Sequence, residues 1–337
     1  MLQEITDKNI WEEFSPLKER GIFLQSYPQK KLFENLGQKT WLFRNNENSI
    51  QALINKVEAR RGVFLYLPYG PVLSSAEINS AKLEDFFSNL KELARQEKAS
   101  FIRISPFWRE TPENLGILKK LGFIKAPIHM LAETLWLLDL NKTEEELLMG
   151  MEKKHRNLVK RAEKEGVEIK KSNASEAVER FIDLHWQTMD RHNFTPYPKD
   201  YFREQVKQFA EDDQVLILEA YHQGALLATA IIMYYGRHGA YHHGASSSHP
   251  EHRKIPASYL LQWEAIKEAK KRGCSVYNFW GIAPGKNPRH PFYGITHFKS
   301  GFGGYQYDLI PCHDLVVNPK YYLTWLIEKV RKWKRGF

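Results

Sequence analysis

The chain has 337 residues, of which 42% are hydrophobic and 26% charged, proportions of a folded protein long enough for two domains. Its 49 Lys and Arg outnumber 40 Asp and Glu for a net charge of +9, which favours anionic partners such as nucleic acid, pyrophosphate or an acidic membrane surface. Two cysteines without zinc spacing argue against a disulfide scaffold or zinc module, and no apolar run nears the roughly 20 residues a membrane span needs.

The opening MLQEITDKNIWEEF carries acids where a signal peptide would carry a basic and then an apolar stretch. A cytoplasmic protein is therefore expected. The first strand-like run is GVFLYLPYGPVL, residues 62–73, followed by a helical pattern, LEDFFSNLKELARQEK. A second strand follows at 99–108, ASFIRISPFW, and then LGILKKLGFIKAP with Gly-Phe at 122–123. The next helix, MEKKHRNLVKRAEKEGVEI, spans 151–169 and ends near Gly166, a C-terminal cap position. Lys153, Arg156, Lys160 and Lys164 recur at three- and four-residue steps and share one face, suited to phosphates. Leu147, Met151, Leu158 and Ala162 form the face expected to pack inward.

The second half then repeats the order of the first. A strand pair, QVLILEAYHQGALLATAIIMYY and GAYHHGASS, leads into the helix SYLLQWEAIKEAKKRG. That helix feeds the strand CSVYNFWGI and then HFKSGFGG, with Gly-Phe recurring at 301–302. Helix-then-strand units in this order predict α/β layers with mixed sheets, and their recurrence predicts a duplicated domain. His242, His243, His249 and His252 cluster across an expected loop without a metalloenzyme motif, so no metal site is assigned. The last segment, YYLTWLIEKVRKWKRGF, reads as an amphipathic helix. Tyr322, Trp325, Leu326, Val330 and Trp333 are expected to dock on the helix's own domain, and an interfacial membrane helix is the other reading of the same pattern.

On these segments the chain resembles the Fem-type (FemABX) peptidyltransferase family. KKHRNLVKRAEKEGV resembles the family's basic helix, YLPYGPVL its Gly-Pro loop, and GAYHHGASS its Gly-Ala-Ser-Ser hairpin. SYLLQWEAIKEAKKRGCSVYNFWGI and GITHFKSGFGG resemble its closing helix, strand and Phe-Lys-x-Gly-Phe-Gly segment. The resemblance implies two GNAT-like (acyl-CoA N-acyltransferase-like) domains packed around a cleft, without the coiled-coil arm of some members. It places residues 1–145 with 305–337 in the first domain and 146–304 in the second.

The implied activity is transfer of an amino acid from aminoacyl-tRNA to the stem peptide of a peptidoglycan precursor, lipid II or UDP-MurNAc-pentapeptide. Aminoacyl-tRNA is then a co-substrate and no other cofactor is implied. A monomer is expected, acting in the cytoplasm or at the inner face of the membrane. Ester-to-amide exchange is downhill, so the enzyme must position two substrates and stabilise an oxyanion, and no Ser or Cys nucleophile is needed.

Lys299, beside Phe298 and before glycines that let backbone approach a ligand, is the expected oxyanion partner, the role the family gives the matching lysine. For the precursor, the resemblance implies Lys30 or Lys31 as the phosphate lysine, Tyr201 as a family tyrosine and His243 at a substrate-facing position. Tyr197 stands where some members carry a phosphate-binding arginine, with Arg191 or Lys199 as substitutes. Tyr69, in the segment that resembles the Gly-Pro loop, is a further expected substrate contact. Ser105 and Asn278 occupy positions where some family members carry a carboxylate, which disfavours a carboxylate base and leaves both as expected polar contacts to the substrate. Two other readings stay open. One is an acetyl-CoA-dependent N-acetyltransferase, although HRKIPASYLL lacks the glycine turn that cradles a pyrophosphate. The other is a non-catalytic RNA- or membrane-binding protein on the same fold.

Overall fold

A computed structural model describes residues 2–59, 62–75, 78–192, 197–285, 290 and 292–335, with backbone alone at 190–192 and 335. The chain begins with β1 (Leu2–Glu4), α1 (Lys8–Glu12), α2 (Ser15–Glu19), α3 (Tyr27–Asn35), β2 (Thr40–Asn45) and β3 (Ile50–Ala59). It continues through β4 (Gly62–Tyr69), β5 (Val72–Leu73), α4 (Ser80–Gln96), β6 (Phe101–Pro106), α5 (Pro112–Lys120) and β7 (Phe123–Lys125). Next come β8 (Thr134–Asp139), α6 (Glu144–Met149), α7 (Lys153–Lys164), β9 (Glu168–Ser172), α8 (Ser175–His192) and α9 (Lys199–Ala210). Then follow β10 (Val215–His222), β11 (Ala225–Tyr235), β12 (His238–Ser246), α10 (Ala257–Lys271) and β13 (Val276–Gly281). The last are α11 (Tyr293–Ser300), β14 (Tyr305–Asp308), β15 (His313–Val316) and α12 (Tyr321–Arg335).

Two compact units divide the chain: Met1–Lys18, Ile22–Glu133 and Tyr307–Phe337 in one, Glu19–Gly21 and Thr134–Gln306 in the other. The first unit's sheet runs β1-β2-β3-β4-β6-β15-β7, with β5 on β3, and the second's runs β14-β8-β13-β12-β11-β10-β9. Each contains a parallel pair, β4 with β6 and β12 with β13, and each pair is bridged by a helix, α4 or α10. A parallel neighbour requires such a crossover, which is why the two helix-to-strand segments echo one another. Leu83, Phe86 and Leu90 of α4 bury against Leu65 and Ile102, and Leu261, Ala265 and Ile266 of α10 against Ala230 and Tyr277.

Two expectations change. Strand β8 hydrogen-bonds to β13 and not to the first sheet, so the second unit starts at Thr134, ahead of the expected 145/146 boundary. It fills the slot between β13 and β14 as β15 fills the slot between β6 and β7. A six-residue strand without a flanking turn signal gives no clue to which sheet completes it. The second change concerns α12. Its buried residues are Tyr321, Thr324 and Glu328, while Tyr322, Leu326, Val330 and Trp333 are exposed. A buried Arg103 draws Glu328 inward, and the apolar stripe turns out.

Candidate active site

In the second unit β12 and β13 pair over three residues, His238–Ala240 with Val276–Asn278. Beyond that pairing both strands are irregular. β12 carries a bulge at His242, where Ile231 and Ile232 face His243 and Tyr241, and β13 shifts register against β8 between Asn278 and Gly281. Bulges re-aim side chains and end pairing, and here they part the two strands. Trp280 adopts a left-handed φ of 69°, uncommon for a bulky residue. Its N–H donates to Asn278 Oδ1 at 2.8 Å, which supports that conformation.

Lys299 reaches this place from the last turn of α11. Its Nζ donates to the Gly281 carbonyl at 2.6 Å and lies 5.7 Å from the Tyr241 ring centroid, so it touches both strands. The residue is 6% exposed and, among the described residues, has no carboxylate partner. Burial pulls its pKa from 10.5 down to about 7. An amine of that kind can both donate a proton to an oxygen and take one back near neutral pH.

The supports of Lys299 come from α7. His155, fully buried, sets its Nε2 3.1 Å from the Phe298 carbonyl oxygen. Tyr259, Phe298 and Phe302 pack around one another beside that ring. A Cβ on Gly301 would lie 1.9 Å from His155, and one on Gly304 would lie 2.1 Å from the Leu137 carbonyl oxygen. The glycines after Lys299 thus make room for the protein's own atoms, where the sequence suggested room for a ligand. The inward face of α7 is His155, Val159 and Ala162; Leu158 is only half-buried.

Beside the split lies an aromatic group. The His243 ring is 5.0 Å from Phe202, 5.9 Å from Tyr197 and 6.2 Å from Tyr201, and Tyr197 stacks on Tyr201 at 4.2 Å. His242 joins this group to the split, 3.9 Å from His243 and 4.8 Å from Trp280. Both histidines lie on β12, within the segment GAYHHGASS expected as a strand. Burial holds His242 at about 3 and His243 well below its ordinary range, so both rings are neutral. The His243 Nε2 is buried without a hydrogen-bond partner among the described residues.

The remaining expected residues have partners of their own. Lys30 and Lys31 both pair with Glu34 on α3. Tyr69 donates its hydroxyl to Ala132 O at 3.0 Å, and Ser105 accepts from the Tyr66 hydroxyl at 3.2 Å. Arg156 turns back to the carbonyls of Met149 and Met151 at the end of α6, so it is not a free cation on the basic face. Lys153, Lys160 and Lys164 are exposed and, among the described residues, unpaired. The side chain of Arg191 lies outside the described residues. Sequence reasoning brought Lys299, Phe298 and Asn278 to one place and Tyr197, Tyr201 and His243 to the next. It missed His155, Tyr241, His242, Trp280 and the Gly281 carbonyl. His155 stands four residues before Val159 and seven before Ala162, on the same helical face, and that spacing was the available signal for it.

Two mixed sheets, each with a helix-bridged parallel pair and one of them split around a buried amine, define a twin GNAT-like fold. Residues 150–300 match the family described as an acetyltransferase (GNAT) domain, and residues 6–117 match the FemAB family. The Lipid II:glycine glycyltransferase of Staphylococcus haemolyticus is 24% identical over 357 aligned residues, covering 83% of each chain. The protein of the same name from Staphylococcus aureus is 24% identical over 358, again covering 83% of each. The crystal structure of FemX superposes with a TM-score of 0.83 at 19% identity, covering 97% of this chain and all of that one. The chain is thus similar to the FemAB family in sequence over residues 6–117 and to FemX in fold.

Proposed function

We infer that this protein is an aminoacyltransferase that moves an amino acid from aminoacyl-tRNA to an amine on the stem peptide of a peptidoglycan precursor. The amine nitrogen attacks the ester carbonyl, the C–N bond forms, the C–O bond to the tRNA ribose breaks, and the amine proton ends on the departing hydroxyl. The carrying observation is Lys299: a buried amine between Gly281 and Tyr241, free of any carboxylate among the described residues. Its charged form stabilises the oxyanion, a contribution of about 2.7–4 kcal/mol for one such donor. His155 is a positioning residue, since it holds the backbone of Phe298 next to Lys299. Tyr197, Tyr201 and His243 form the proposed acceptor subsite, and Lys30 or Lys31 the proposed phosphate contact once released from Glu34. Lys153, Lys160 and Lys164 are the proposed tRNA face.

The names of the staphylococcal relatives make glycyl-tRNA and lipid II the first donor and acceptor to test. The experiment crosses a panel of charged tRNAs with lipid II and UDP-MurNAc-pentapeptide and follows amide formation by mass spectrometry. Transfer to either precursor supports the reading. If no charged tRNA gives transfer while acetyl-CoA acetylates an amine acceptor, the activity is that of an acetyltransferase instead.

A further inference from the structure

The first unit leaves one of its helices half uncovered. With 3.6 residues per turn, Tyr322, Leu323, Leu326, Val330 and Trp333 of α12 fall within an arc of about 100°. They are 59%, 64%, 54%, 43% and 82% exposed. The opposite arc holds Tyr321, Thr324 and Glu328, all buried. Arg103 anchors it, donating to Glu328 Oε1 and Oε2 at 3.0 and 2.7 Å, while Tyr321 donates to Asp314 Oδ2 at 3.0 Å. The side of α12 that an amphipathic helix ordinarily buries is therefore turned outward by a polar anchor.

Charge identifies what covers it. Glu328 is the sole acid of α12, and it is turned inward and paired. Lys329 and Lys334 border the apolar arc on either side, and Arg331 and Lys332 are exposed further round. Lys329 lies 4.5 Å from the Trp325 ring. Aromatic and aliphatic side chains bordered by cations are the composition of a helix lying in a bilayer interface. A second copy fits less well, since a two-fold contact would set the same cations against each other.

We propose that α12 docks this protein on an anionic lipid bilayer, its apolar arc in the acyl boundary and its cations among the headgroups. This surface is remote in chemistry from the transfer reaction, and its test uses no substrate, so its outcome is separate from that of the transfer assay. The full chain is floated with vesicles of phosphatidylglycerol and phosphatidylcholine, and with phosphatidylcholine alone. Binding to the anionic vesicles is expected, weakening as salt rises. Leu326→Ser with Trp333→Ser, and separately Lys329→Glu with Lys334→Glu, should each lower partitioning by about tenfold or more. All four side chains are exposed, so urea unfolding midpoints should match the parent. Failure of the parent to float with anionic vesicles overturns the proposal, as does binding that both double variants retain. Sedimentation showing a dimer that the Leu326→Ser, Trp333→Ser variant abolishes, without vesicle binding, assigns the face to a second copy instead.

Discussion

Each unit buries a cation, and the two do so in opposite ways. In the first, burial works against the charge of Arg103, but hydrogen bonds to Asp314 and Glu328 outweigh it and raise its pKa further. The pair with Asp314 is bidentate, at 2.7 and 2.8 Å. In the second, burial acts on Lys299 alone and brings it to about 7. A fully compensated buried charge holds parts together, here α12 against β6 and β15. One left uncompensated costs stability, and such groups concentrate where chemistry needs them. The contrast is between a cation that holds elements together and an uncompensated one, which is what the proposed role of Lys299 requires.

The largest expected effect comes from breaking the compensated site. Arg103→Met strands Asp314 and Glu328 in the interior and should lower unfolding free energy by about 3–5 kcal/mol in urea titrations. Lys299→Met should act the other way on stability while removing activity. Transfer in single-turnover assays should fall about 10²–10³-fold with precursor binding retained. Unchanged turnover would remove Lys299 from the mechanism.

A pH series sharpens the same contrast. The folded-state pKa of Lys299 lies below its ordinary 10.5, so between about 7 and 10.5 the unfolded chain holds a proton that the folded one has released. Its contribution therefore makes unfolding free energy rise with pH across that window, and the cost is fully present below about 7. Comparing parent with Lys299→Met across this range should isolate that slope. Activity should lose the charged amine as pH climbs through about 7, giving a descending limb in the rate profile. The smallest effect is expected on α7: changing Lys153, Lys160 and Lys164 to Gln should weaken tRNA binding and reduce its salt slope by about 2–3, with little change in the chemical step.

Much of this was legible locally. The two helix-to-strand echoes were readable because a parallel pair demands a crossover helix, and apolar periodicity survives in the chain. Phe298–Lys299 and the basic residues of α7 were readable because each is contiguous or helically spaced. Tyr69, Ser105 and Arg156 were read toward ligands, yet each has an internal partner far along the chain or on a neighbouring helix end. No spacing rule encodes such partners.

The sequence by itself determined the duplicated α/β pattern, the basic helix and the lysine beside Phe298, because these depend on neighbours within a few turns of chain. Only the tertiary structure decided that β8 completes the second sheet and that α12 turns its apolar arc outward. It also decided that Lys299 sits dry between Gly281 and Tyr241. Each of those outcomes depends on which distant group supplies a hydrogen bond or withholds a countercharge, and burial makes that difference large.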